Sequence, residues 1–174
     1  TLLLALVVPL AAFAQVERTV TVYNGNDINA HIPVDGGHGT LVPAKNQFIM
    51  DKDELSDLAG KQITKMTFHV VNSNITMKDG DHLPYSVLLA EVDYTNFGNA
   101  GLLTENLTNA YTVASGVELE LTGNTLVINF SRAYTYSGNK NLLVQFSCSS
   151  ATNYFTPFYE SYELRFFGVN AIRA

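Results

Sequence analysis

Carboxylates two residues apart on extended backbone are the first candidates for chemistry in this chain, because alternate side chains of a strand share a face. Glu91-Val92-Asp93 and Glu118-Leu119-Glu120 both have that spacing. Two carboxyl groups about 5–9.5 Å apart can divide glycoside hydrolysis between an acid and a base or nucleophile. The same spacing arises on any strand with one solvated face, and that is the reading adopted here for both pairs. Four histidines offer a base or metal ligands, but none is paired at the helical spacing of zinc proteases and no Gly-x-Ser-x-Gly elbow occurs. His31 and His38 flank a loop containing Asp35, which makes His38 a candidate ligand-binding residue beside its plainer reading as a polar loop residue. His69 falls on the wet face of a strand and His82 in a turn, where an imidazole needs no special role. Asp79 and Asp81, separated by Gly80, are weak calcium candidates in what reads as a turn. Calcium wants about six to eight oxygens, and no EF-hand continuation follows them. Structural calcium held by loop carbonyls leaves no mark in sequence and stays open; no other cofactor is expected.

The richest hint of binding is aromatic. Tyr154, Phe155, Phe158, Tyr159, Tyr162, Phe166 and Phe167 crowd one short span. Exposed rings there would stack on sugars or anchor a protein partner; buried ones would fill a core. Glu160 and Glu163 place Tyr159 and Tyr162 near water, so these two and Tyr154 are the ligand-binding candidates. Asn74-Ile75-Thr76, Asn106-Leu107-Thr108 and Asn129-Phe130-Ser131 match glycosylation acceptors, a pattern that arises easily in an Asn- and Thr-rich chain.

The elements that must position these residues are strands. Plentiful Tyr, Phe, Thr, Asn and Gly with only 15% charged residues is the composition of twisted strands joined by polar turns. Val20 and Val22 alternate with polar neighbours ahead of an Asn24-Gly25-Asn26 turn, and Ile32 to Val34 and Gln47 to Met50 read as extended. The spacing predicts one helix, Asp51 to Leu58, with Asp51 as cap, Glu54 reaching back, Leu55 and Leu58 facing the core and Gly60 as stop. Met66, Phe68 and Val70 alternate with Lys65, Thr67 and His69; Ser86 to Tyr94 alternates less cleanly. Val117, Leu119 and Leu121 lead through Gly123-Asn124 into Leu126, Ile128 and Phe130 as a hairpin. A turn at Ser137-Gly138-Asn139-Lys140 precedes a strand from Leu142 to Cys148, and the Tyr154 to Phe167 segment supplies the last one or two. About nine or ten antiparallel strands and one short helix fit a two-sheet β-sandwich, an all-β fold with jelly-roll connections. Cys148 is the only cysteine, so no intramolecular disulfide forms, and its strand face is shared with Leu142, Val144 and Phe146.

Residues 1–14 are read as a signal peptide: an apolar run from Leu2 to Leu10 ends in Ala12-Phe13-Ala14, a small-x-small cleavage site. The run is too short for a spanning helix, so no membrane insertion is expected after cleavage, and residues 15–174 form one secreted or cell-surface domain. Thr1 in place of a start methionine, with no basic residue ahead of the apolar run, leads to the expectation that the chain has lost the front of its signal and is a fragment of a longer polypeptide. A net charge of -6 with ten scattered Lys and Arg argues against nucleic acid.

Gln47 to Met50, the capped segment ending at Leu58, Gly60 to Phe68, and Tyr136 to Phe146 together resemble the N-terminal β-sandwich modules of large secreted bacterial surface proteins, similar to cleaved-adhesin-like modules. The resemblance covers most of the chain after residue 14, rests on core and turn residues, and carries no catalytic motif. It implies a place ahead of immunoglobulin-like or fibronectin-like domains and a sorting tail. A jelly-roll glycosidase of the laminarinase type would have a third carboxylate soon after a pair, whereas Asp93 is followed by Tyr94, Thr95, Asn96 and Phe97. The expectation is a non-catalytic module that binds extracellular glycan or protein, or supports neighbouring domains. The alternatives are a polysaccharide hydrolase with carboxylates from distant strands, and a fibre subunit assembled by strand donation.

Overall fold

The computed structural model describes residues 17–22, 28–29, 44–69, 85–98, 101–117, 121–148 and 166–167. Its regular structure is almost wholly antiparallel strand: β1 (Ile28–Asn29), β2 (Ala44–Met50), β3 (Gln62–His69), β4 (Tyr85–Val92), β5 (Thr108–Val117), β6 (Leu121–Thr122), β7 (Thr125–Thr135), β8 (Asn141–Cys148) and β9 (Phe166–Phe167). A four-stranded sheet runs β2-β8-β4-β5, a three-stranded sheet runs β3-β7-β6, and β1 pairs with β9. Among the described residues the structure is mostly antiparallel sheet, consistent with the all-β class that the composition implies.

The two larger sheets share one apolar cluster. Phe48, Val87, Leu89, Val113, Leu142, Val144 and Phe146 enter it from the four-stranded sheet, and Ile63, Leu126, Ile128 and Tyr134 from the three-stranded sheet. Phe68 of β3 meets Phe48 and Phe146 edge-on, at centroid separations of 6.1 and 6.0 Å, so aromatic edges of one sheet sit against faces of the other. The opposite face of the four-stranded sheet carries a second cluster, in which Ile49, Ala90, Val92 and Leu143 lie under Phe97 and Leu103 of the β4–β5 connection. Consecutive residues such as Leu142 and Leu143 are therefore both fully buried. This two-sided burial explains why β4 lacks the clean alternation of β3.

The strand at Gln47 to Met50 forms as β2, and the Gly123-Asn124 turn closes the β6–β7 hairpin. In β3, Lys65, Thr67 and His69 are exposed while Met66 and Phe68 are half-buried against the core. Ile63 reaches the same core from an odd-numbered position because the β3–β7 register shifts between Ile63 and Lys65. The same shift takes residues 130–133 of β7 out of the β3 ladder, and β5 takes them up. Ser131 donates to the Val113 carbonyl at 3.0 Å, and Tyr111 donates to the Ala133 carbonyl at 3.0 Å.

Two expectations are corrected. The helix over Asp51 to Leu58 is a run of turns ending in one 3-10 turn, Ser56–Leu58. Its amides bond three residues back, Leu55 to Lys52 and Leu58 to Leu55, and Lys52 donates instead to the Asn141 side chain at 3.0 Å. A segment tied to the sheet at its start and stopped by Gly60 at φ +70 is too short to gain from helix propagation. Asp51 does act as a cap, accepting the Asp53 amide at 2.8 Å, and Leu55 is fully buried. Residues 17–22, read as extended from Val20 and Val22, belong to no strand, although Val22 packs on the core. The expected strand at Ile32 to Val34, residues 118–120 and the signal segment lie outside the described residues. No helix among the described residues is long and apolar enough to cross a membrane.

The β7–β8 turn packs tightly on the 3-10 segment. Gly60 donates to the Tyr136 carbonyl at 2.8 Å and Tyr136 to the Lys61 carbonyl at 3.1 Å, which extends the β3–β7 ladder. Gly138 lies there at φ +82, and a Cβ on it would come within 2.4 Å of the Ala59 Cβ. Gly138→Ala is therefore expected to cost about 3 kcal/mol, combining left-handed strain with a backbone-limited clash. Gly123→Ala, at φ +59 with open space around it, should cost about 1 kcal/mol. Urea denaturation of both variants checks the ranking; equal losses would contradict the packing described.

Candidate functional site

Glu91 is the one buried carboxylate among the described residues, 2% exposed. It follows Leu89 by two positions on β4 and so faces inward, between the sheets rather than toward water. This corrects the solvated-face reading of Glu91. Three donors converge on it: the Ser137 amide on Oε1 at 3.1 Å, the Ser137 hydroxyl on Oε2, and the Asn109 amide on Oε1 at 3.2 Å. The sequence separations are 46 and 18 residues, so two distant segments supply what the carboxylate needs.

The backbone is shaped to bring Asn109 there. Opposite Leu89–Glu91, β5 spends one extra residue between Tyr111 and Thr108, and Asn109 takes a φ of +50. Asparagine tolerates that left-handed conformation better than most residues. From this exposed position its side chain reaches Glu91 and also donates to the Thr135 carbonyl at 3.0 Å.

Tyrosines surround this point. Tyr111 and Tyr134 stack with centroids 5.0 Å apart, and the Arg132 guanidinium carbon lies 4.0 Å from the Tyr111 centroid. Tyr136 donates to the Lys140 carbonyl at 2.5 Å. The fully buried Tyr134 hydroxyl has no hydrogen-bond partner of normal geometry, although the Asn109 amide is near enough to favour its anion slightly. Burial, and then the Glu91 charge, push the Tyr134 pKa well above the ordinary phenol value. Tyr136 is raised by the same two causes, with Asp51 and Asp53 adding to them.

Asp93 has a different setting. β4 ends at Val92, and Asp93 projects from the connection that follows, its side chain 78% exposed and paired with Lys140 at 2.7 Å. Lys140 also donates to Thr108 at 3.3 Å. Beside this pair stands Tyr94, the only exposed large apolar residue among those described, 37% exposed. Its hydroxyl accepts from the Asn106 amide at 3.1 Å, and its carbonyl accepts from the buried Asn141 side chain at 2.8 Å.

Glu91 and Asp93 therefore sit in different settings: one is enclosed by donors and the other is held at the surface. Sequence reasoning passed over Tyr94, whose signal was its place in the polar run Asp93-Tyr94-Thr95-Asn96 beyond a strand end. Tyr154, Tyr159, Tyr162, His38, Asp79, Asp81, Glu118 and Glu120 lie outside the described residues. His69 is exposed on β3 as expected. No group of three or more His, Cys, Asp or Glu side chains that could hold a metal occurs among the described residues.

Glu91→Ala should lower stability by about 3 kcal/mol, because three donors lose a buried acceptor, while Glu91→Gln keeps an acceptor and should cost about 1 kcal/mol. Equal, negligible losses on urea denaturation would contradict the enclosure. Tyr134→Phe removes an unpartnered buried hydroxyl and should leave neutral-pH stability unchanged or raised. The raised phenol pKa values fix the sign of a pH effect. Tyr134 and Tyr136 keep their protons longer folded than unfolded, so their contribution is complete below about pH 10 and is lost as pH rises through the folded values. Thermal melts from pH 8 to pH 11 should show a decline above about pH 10 that Tyr134→Phe flattens; an unchanged slope would refute the assignment. In comparison with known proteins, no family model, no curated protein and no solved structure matches this chain.

Proposed function

We propose that the chain is a non-catalytic, exported module of the cell surface, which binds extracellular glycan and supports neighbouring domains of a longer polypeptide. Its two larger sheets are read as the layers of a β-sandwich with jelly-roll connections. The shared apolar cluster between them supports that reading. Export rests on the signal-like residues 1–14, and surface attachment on the resemblance to secreted bacterial surface modules.

The observation that carries the non-catalytic reading is the state of Glu91. A general acid or nucleophile must reach a substrate atom, and this carboxylate already accepts from Ser137 twice and from Asn109. The exposed Tyr94 beside polar side chains supports binding, because sugar and protein partners are both met by aromatic rings with polar neighbours.

The test has two arms. On a glycan array the purified chain should be retained by at least one polysaccharide class; a blank array removes the glycan-binding version. Incubated with the same polysaccharides it should release no reducing ends above buffer. Release that disappears in Glu91→Gln or Asp93→Asn would replace this reading with the hydrolase.

A further inference from the structure

We propose that Tyr94, Asn106 and the Asp93–Lys140 pair form a subsite for one sugar ring of a neutral pyranoside chain with equatorial hydroxyls; this rests on the glycan-binding reading and gives it a location. Several features of the surface lead there. Tyr94 stands out as the exposed large apolar residue of a molecule whose other described apolar side chains are largely covered. An exposed ring normally loses rotamer freedom when a ligand lands on it, but this one already accepts from Asn106 at its hydroxyl, and its backbone carbonyl is held by Asn141. The connection beneath it is fixed as well, by Phe97 and Leu103 in the second apolar cluster and by Gln47, which exchanges two hydrogen bonds with the Leu103 backbone at 2.9 and 2.7 Å.

The polar rim matches hydroxyl groups. Asp93 supplies acceptors, Lys140 supplies donors, and the Asn106 amide offers both. A pyranose with equatorial hydroxyls presents axial C–H groups on its faces and alternating donors and acceptors around its edge. The faces suit an aromatic ring and the edge suits this rim. The charge balance selects a neutral sugar: Lys140 is already neutralised by Asp93, and the exposed Glu105 next to Asn106 adds negative charge that a uronate would meet.

The experiment is isothermal titration of the full chain with cellohexaose, xylohexaose and hexagalacturonic acid. Wild type should bind one or both neutral chains with a Kd of about 0.1–1 mM and should not bind the uronate. Tyr94→Ala should weaken binding at least about tenfold, Tyr94→Phe less than about threefold, and Asn106→Ala about threefold or more. The two Tyr94 variants should melt within a degree or two of wild type, since the site is at the surface, whereas Asn106→Ala, at φ +56, carries left-handed strain and should melt a few degrees lower. Undiminished binding by Tyr94→Ala overturns the subsite and leaves the glycan-binding reading intact. A wild type that ignores both neutral hexasaccharides but is retained by another glycan on the array also overturns the subsite alone. A wild type retained by no glycan overturns both.

Discussion

Where a sheet is covered on both faces its polar side chains lose water and must find partners within the molecule, and that constraint organises this one. The four-stranded sheet packs its inner face on the shared cluster and its outer face under the β4–β5 connection. Three of its polar side chains, Gln47, Glu91 and Asn141, are buried as a result. Each is satisfied largely by loop groups rather than by other strands. Gln47 holds Leu103, Glu91 holds Ser137, and Asn141 bridges Lys52 to Tyr94. An unpaired buried polar group costs roughly 1–3 kcal/mol, so every such contact ties a loop to the sheet with a penalty for letting go.

The consequence for function is a division of labour by burial. The interior carboxylate is spent on holding the β7–β8 turn, which in turn seats Gly138 on Ala59. The exterior, where the β4–β5 connection emerges, is polar, aromatic and held in place. Rigid loops on a β scaffold are where binding residues are usually carried, since the scaffold fixes their geometry. Hydrogen bonds from Ser131, Tyr111 and Thr135 join β5 to β7 and so tie the two sheets together.

What was legible in the sequence follows from the same physics. Alternation found β3 and β8, and turn chemistry found Gly123-Asn124 and Ser137 to Lys140, because those signals are local. Alternation misread Glu91, because it assumes that a carboxylate on a strand marks a wet face. Its partners lie 18 and 46 residues away, beyond any local pattern. The helix was misread for a related reason. Asp51 and Leu55 behave as a cap and a core residue, yet Asn141 takes the Lys52 amide, and i to i+3 bonds fill the short span. Tyr94 was missed because a tyrosine's letter does not say whether its ring is covered.

Native-state hydrogen exchange tests the tethering most directly, at three amides outside any strand: Lys52, Leu103 and Ser137. Each donates to a buried side chain of the four-stranded sheet. The expected result is protection comparable to that of β8 amides, approaching global unfolding. Exchange at the rate of open loops would contradict the account, for it would mean that the buried side chains do not hold the connections and that the surface they position is not fixed.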